Sequence, residues 1–233
     1  MSTFLPYLFI EINHKEFIFI AGQDEDNNFK IIEKSIVSIE NNNKNKNLDF
    51  ELFSKIIKEN IFLLEKKLNY SFKDVYLILD SFEATFLNLT GFKKLNGSQV
   101  LRENIIYILN SLKSNIYEVE NKKSILHIFN TSFILDQKIL INPPIGLFGD
   151  FYAHELSFCL IDNNDYKNLN NIFNSQNLKI ERIFLKSYAE GTYISSSNSN
   201  AETFFHIRIE SDESKVFYFE NDALKFEQKF NFG

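Results

Sequence analysis

The sequence predicts an α/β (α+β) fold from three observations. Short apolar runs of strand type open the chain at residues 8–12, 16–21 and 30–39, the first two joined by the short turn Asn13-His14-Lys15. Two longer stretches carry apolar residues at helical spacing, Phe53, Ile56, Ile57, Leu64 and Leu68 in one and Leu101, Ile105, Ile108, Leu109, Leu112 and Ile116 in the other. Strand-like runs then return between and after these helices, so helices alternate with sheet segments along the chain.

Each element follows from its local pattern. The first three strands have hairpin spacing and are expected antiparallel. The Asn/Lys-rich segment 41–47 reads as a solvated loop, and Asp49 is a plausible N-cap for a helix running to about Lys67. Residues 75–79 and 84–92 read as strands, and the second helix is expected to begin near Gly97-Ser98. Segments 125–129 and 133–136 read as two strands, followed by a Pro-Pro-x-Gly turn and an alternating strand within 152–161. Tyr166, Leu169, Ile172 and Phe173 form a third helical face, residues 179–185 a strand, and the segments at 203–209, 216–219 and 224–230 a closing set of paired strands.

Composition narrows the function classes. The chain has 233 residues, enough to bury a good core, and carries 25 Lys+Arg against 31 Asp+Glu for a net charge of −6. No clustered positive patch is visible, which argues against nucleic acid as a partner. One cysteine, Cys159, excludes an internal disulfide and a cysteine-based zinc site, and its place in an alternating run makes it a core thiol. No signal-peptide pattern and no membrane-length apolar run is present, so a cytoplasmic chain without its own membrane anchor is expected.

Residues 123–195 carry most of the information. They contain Ile125-Leu126-His127-Ile128-Phe129, then Phe133-Ile134-Leu135-Asp136, then Pro144-Ile145-Gly146-Leu147-Phe148-Gly149, then Glu155 to Leu160. In order and spacing this resembles the bacterial cell-division FtsA family of actin-like proteins, with its "ILH-x-I-P-x-x-F-x-V-D" strand pair, "P-x-G-M-x-G" turn and "E-x-x-x-V" strand. The resemblance implies an actin-like (ribonuclease H-like) first subdomain formed by residues 1–71 and 165–233. It implies an inserted strand–helix–strand–strand assembly domain at 72–164. The second actin-like half, with its adenosine pocket, its FtsZ contact surface and the membrane-targeting helix, is expected to be absent from this chain.

The family holds ATP with Mg between two hairpin turns whose glycines let backbone N–H groups approach phosphate. The first turn, "D-I-G-T-x-K" in the family, corresponds here to Glu11-Ile12-Asn13-His14-Lys15-Glu16. The second, "D-I-G-G-G-T-T-D", corresponds to Arg208-Ile209-Glu210-Ser211-Asp212-Glu213-Ser214-Lys215. Glu11, Asn13, His14, Arg208, Glu210, Ser211, Asp212 and Glu213 therefore stand at degenerate phosphate-turn positions, and no bound cofactor or metal is expected. Carboxylates a few ångströms from a triphosphate cost on the order of a few kcal/mol each at an effective dielectric of about 20. Arg208, Lys215 and Lys15 offset only part of that, because side-chain charge does not replace close backbone approach.

No other catalytic pattern competes. His14, His127, His154 and His206 lack metal-type spacing, with His127 and His154 read as structural strand histidines. Asp80, Glu83 and Glu103 are carboxylates without an evident partner, and no nucleophile-elbow, P-loop or zinc-protease motif occurs. The expected protein is not an enzyme. It is an FtsA-like divisome assembly protein working through an FtsZ-like tubulin homologue and other division proteins, possible self-association included, at the inner face of the membrane at the septum. The exposed tips expected to carry contacts are the 93–99 loop with Lys94, Asn96 and Gly97, and the 143–149 turn with Pro144, Gly146, Phe148 and Gly149. Two alternatives stand beside it: the N-terminal fragment of an active actin-like ATPase of division, and a PilM-type pilus-assembly protein.

Overall fold

Burial alternates along the first strand, with Leu8, Ile10 and Ile12 on the face of its sheet that becomes core. The computed structural model describes residues 5–13, 15–25, 28–39, 49–80, 82–197, 201–211 and 213–232. The expected loop at 41–47 lies outside the described residues. The elements are β1 (Tyr7–Ile12), β2 (Glu16–Glu25), β3 (Asn28–Ser38), α1 (Phe50–Leu68), β4 (Asp74–Leu79), β5 (Thr85–Lys94) and α2 (Arg102–Val119). They continue as β6 (Lys123–Leu135), β7 (Lys138–Leu140), β8 (Phe151–Asp162), α3 (Asn163–Asn174), β9 (Lys179–Leu185), α4 (Lys186–Ser197), β10 (Thr203–Ile209), β11 (Ser214–Glu220) and β12 (Ala223–Phe230). Among these helices none is long and apolar enough to cross a membrane.

The chain divides into two compact units, residues 1–82 with 164–186, and residues 83–163 with 187–233. The first holds a five-stranded sheet ordered β3-β2-β1-β4-β9, antiparallel through β1–β3 and parallel through β1, β4 and β9. Leu8, Ile10 and Ile12 of β1 and Phe17 and Phe19 of β2 are fully buried on one face. Phe53, Ile57, Ile61 and Leu64 of α1 are buried too, and Phe53 meets Phe17 edge-on at 4.8 Å. The α1 start is set by Asp49, whose carboxylate accepts from the Leu52 N–H at 3.0 Å, and its end by Asn69 in the left-handed region.

The second unit holds a four-stranded antiparallel sheet, β5-β8-β6-β7, and a separate three-stranded one, β10-β11-β12. Ile108, Leu112 and Ile116 of α2 cluster with Tyr152, Leu156, Phe158 and Leu160 of β8. Gly91 of β5 permits this, since a Cβ there would lie 2.3 Å from Ile108 Cγ2. Strand β12 is tied to the larger sheet: the Leu224 carbonyl accepts from the buried Ser157 hydroxyl at 3.1 Å, and the Lys225 carbonyl from the Asn88 side chain at 3.2 Å. Burial, with the nearby Glu227 charge, pushes the Cys159 thiol well up, so it stays a neutral core group.

Several expectations change. Strand β4 pairs with β1 and β9, so it sits in the first sheet, not in a domain beginning at 72. Residues 187–233 group with 83–163 because β12 packs on β5, β6 and β8. The two strands expected at 125–129 and 133–136 are one thirteen-residue strand, β6, since bulges at Ile125/His127 and Asn130/Ser132 carry its polar middle along β8. Helix α2 starts at Arg102 rather than Gly97, because Gly97 at φ +80 belongs to a turn. Strand β2 runs on to Glu25, past the end expected at residue 21, and β7 and α4 had no sequence signal.

Two predictions follow from this packing. A Cβ on Gly191 of α4 would lie 2.0 Å from the ring of Phe219, which is buried and stacked on Phe204 at 4.8 Å. Alanine gains up to about 1 kcal/mol of helix propensity, but overpacking costs about 1–3 kcal/mol, so Gly191→Ala lowers the urea midpoint, and Phe219→Leu in the same chain restores part of it. Burial holds His127 and His154 near pKa 4, below the ordinary 6.5. Unfolding therefore takes up protons as pH falls from about 6.5 toward 4. Urea midpoints drop over that window, and the drop flattens in His127→Gln/His154→Gln.

Candidate functional site

Parallel strands in an open sheet present their carboxyl ends at one edge, where α/β folds place ligands. In the first unit that edge brings together Glu11 near the end of β1, Asp80 just past β4 and Lys186 just past β9. The Lys186 ammonium donates to Glu11 Oε1 at 2.7 Å and lies 3.3 Å from Asp80 Oδ2. The Asp80 N–H donates to the Ile12 carbonyl at 3.0 Å, which fixes the start of this loop against β1. Asp80, read from sequence as partnerless, is thus an ion-pair partner, and Lys186 is a residue that sequence reasoning missed. All three side chains are largely buried, and one ammonium stands where two carboxylates converge.

The first expected phosphate turn is closed by its own side chain. Asn13 Oδ1 accepts from the Lys15 N–H at 2.9 Å and the Glu16 N–H at 2.8 Å, while the Asn13 N–H donates to the Glu16 carbonyl at 3.2 Å. Backbone donors that a glycine turn would aim outward are already satisfied. His14 lies outside the described residues.

The second expected turn joins β10 to β11 in the other unit, with the Glu210 N–H donating to the Glu213 carbonyl at 2.9 Å. Its charges differ from expectation. Glu213 pairs with Lys229 and lies 3.5 Å from Lys215, which also reaches Glu227 at 4.0 Å. Partial burial raises the Glu213 carboxyl, but the Lys229 hydrogen bond and the two ammonium charges outweigh it and hold its pKa below the usual range. Arg208 donates to Glu190 of α4 at 2.5 Å, with His206 Nδ1 3.8 Å from the same carboxylate. Glu213 is therefore neutralised within its own sheet, and Arg208 is committed to a helix rather than to an anion. Ser211 is exposed, and Asp212 lies outside the described residues.

The two tips expected to carry contacts are one structure. The Gly97 N–H donates to the Gly149 carbonyl at 3.1 Å, the Gly149 N–H to the Ser98 carbonyl at 3.2 Å, the Val100 N–H to the Leu147 carbonyl at 2.9 Å, and the Gly146 N–H to the Val100 carbonyl at 2.8 Å. Gly97 and Gly146 hold φ values of +80 and +86, and Asn96 is also left-handed. At Gly149 a Cβ would lie 2.5 Å from Leu135 Cδ1 and 2.8 Å from Asp136 Oδ2, so only glycine lets the turn lie against the β6–β7 hairpin. The Asp136 carboxylate accepts from the Asp150 and Phe151 N–H groups at 2.9 and 2.8 Å. On this rigid base Phe148 is 69% exposed, Lys94 lies over the Phe151 ring at 5.6 Å, and an open groove runs past Ile139, Ile141, Pro144, Ile145 and Leu147.

No protein-family model matches the chain. The cell division protein FtsA of Buchnera aphidicola subsp. Schizaphis graminum (strain Sg) is 24% identical over 181 residues, 77% of this chain and 43% of that protein. The chain is similar to FtsA. Among solved structures, the PilM-PilN type IV pilus biogenesis complex superposes with a TM-score of 0.63 at 9% identity, over 97% of this chain and 62% of that one. A Bacteroides thetaiotaomicron protein with an actin-like ATPase fold and unknown function matches at a TM-score of 0.46 and 17% identity, over 99% and 73%. The fold is that of the actin-like ATPases. The chain spans less than half the length of the FtsA it resembles.

Removing the ammonium from the strand-end cluster leaves two carboxylates facing each other. Lys186→Met is expected to lose about 1–2 kcal/mol, discounted for partial exposure. The double variant Lys186→Met/Glu11→Gln recovers part of that loss in urea unfolding, and additive losses would show that the cluster carries no coupling.

Proposed function

We propose that this chain is an FtsA-like division protein that works by protein–protein contact and does not use ATP productively. The observation that carries this reading is the paired tip, in which two loops far apart in sequence are locked by backbone hydrogen bonds beneath exposed Ile145, Leu147 and Phe148. Rigid apolar projections are what an assembly contact needs, because binding then orders little. Closure of the first turn by Asn13, and the Lys186 ammonium between Glu11 and Asp80, support the absence of nucleotide chemistry. The partners proposed are an FtsZ-like tubulin homologue and other division proteins, met at the inner face of the membrane at the septum.

A second reading, a pilus-assembly protein of the PilM type, is favoured by the superposition on the PilM-PilN complex. Pull-down separates the two, with the FtsZ-like protein retained in the first case and a PilN-like protein in the second.

Phe148→Asp with Lys94→Glu is expected to cut retention of the division partner at least tenfold while far-UV circular dichroism stays unchanged. Undiminished retention would remove the tip from the proposal. Calorimetry with Mg-ATP is expected to give no heat of binding, and micromolar capture that is lost in Asn13→Ala would overturn the nucleotide part.

A further inference from the structure

Strand β7 ends the β5-β8-β6-β7 sheet, so among the described residues one side of its backbone has no strand beside it. Its register against β6 is Leu135–Lys138, Ile134–Ile139 and Phe133–Leu140. The joining turn, Asp136-Gln137, has φ values of +47 and +69, as a two-residue hairpin turn with both central residues left-handed requires. That turn makes Leu135 and Lys138 the closing hydrogen-bonded pair, and bonded pairs alternate with non-bonded ones along an antiparallel ladder. Ile139 therefore aims its N–H and C=O away from β6, at the free edge. No backbone group outside the ladder bonds to either of them among the described residues.

The two faces of this edge differ in chemistry. Leu140 packs against the core under α2, and Lys138, two residues before it on the same face, is exposed. Ile139 lies on the other face and is 73% exposed. The chain then turns at Pro143-Pro144, and Ile141, Ile145 and Leu147 continue the apolar wall of the groove. Charge along this part of the chain is of one sign. Residues 92–102 and 137–149, the two stretches around the tip, contain Lys93, Lys94, Arg102 and Lys138 and no carboxylate, in a chain that carries −6 as a whole. The acids that flank them are Glu103, Asp136 and Asp150, and the Asp136 carboxylate is taken up by the Asp150 and Phe151 N–H groups.

We propose that the free edge of β7 pairs with a short extended segment of a partner protein in which acidic and apolar residues alternate. The proposal rests on the tip contact of the preceding subsection and names the chemistry which that contact grips. A strand laid along β7 bonds to the outward N–H and C=O of Ile139, and its alternate side chains fall beside Ile139 on one face and beside Lys138 on the other. Apolar residues in the first set leave water together with Ile139 and Ile141. Carboxylates in the second set meet the Lys138 ammonium, and the remaining cations of the tip steer an acidic segment toward it. Because β7 spans three residues and the prolines cannot extend its ladder, the paired segment is short.

Fluorescence anisotropy of the full chain with end-capped, fluorescein-labelled pentapeptides tests it. Glu-Val-Glu-Val-Glu is expected to bind, with Lys-Val-Lys-Val-Lys and Glu-Ser-Glu-Ser-Glu each at least about tenfold weaker. Lys138→Glu is expected to remove the preference for the acidic over the basic peptide, with circular dichroism unchanged. Hydrogen exchange at the Ile139 amide is expected to slow about tenfold when Glu-Val-Glu-Val-Glu saturates the chain, a change that side-chain contact alone does not produce. Equal binding of the acidic and basic peptides, an acidic preference that survives Lys138→Glu, or an Ile139 amide that exchanges as before would overturn the proposal, as would no binding of any peptide at millimolar concentration. Failure here is distinct from failure of the tip contact. If Glu-Val-Glu-Val-Glu does not bind while Phe148→Asp with Lys94→Glu still cuts retention of the division partner, the strand pairing falls and the tip contact stands. If the peptide binds as expected while that double variant retains the partner in full, the tip contact falls and the edge stands as a site of this chemistry.

Discussion

The Lys186 ammonium, shared between the carboxylates of Glu11 and Asp80, sets the character of the first unit. Three parallel strands end side by side, and their carboxyl ends bring two acids to the same ammonium. A side chain supplied by the chain itself meets that requirement permanently, where a bound cation would meet it only when present. The neighbouring turn follows the same rule, because Asn13 satisfies backbone donors from within. Both devices satisfy polar groups at this edge from within the chain.

The second unit turns the same chemistry outward. Its polar groups are spent on internal joints: Asp136 on the start of β8, Ser157 on the Leu224 carbonyl, Glu190 on Arg208. Apolar side chains are exposed as well, at the tip built from residues 95–100 and 144–150 and on one face of the β10–β12 sheet.

Much of this was legible in the sequence where a pattern is local. The Phe53, Ile57 and Leu64 spacing located α1, Asp49 marked its start, and strict alternation placed Tyr152 to Leu160 in a strand. The FtsA resemblance pointed to an actin-like fold that periodicity alone does not specify. Polar Asn130, Thr131 and Ser132 looked like a break because nothing local reveals that a long ladder with β8 absorbs them as a bulge. Gly97-Ser98 looked like a helix start because its true partner, the 146–149 turn, is about fifty residues away. Glu11, Asp80 and Lys186 meet only after two crossovers, so no spacing rule could join them.

Strands β6 and β8, of thirteen and twelve residues, run antiparallel for nearly their full lengths. At about 3.3 Å per residue each extends roughly 40 Å. Tension applied at the tip would load this ladder along its strands, so its hydrogen bonds resist together in shear instead of opening one after another. The second unit thereby has the build of a tie rod.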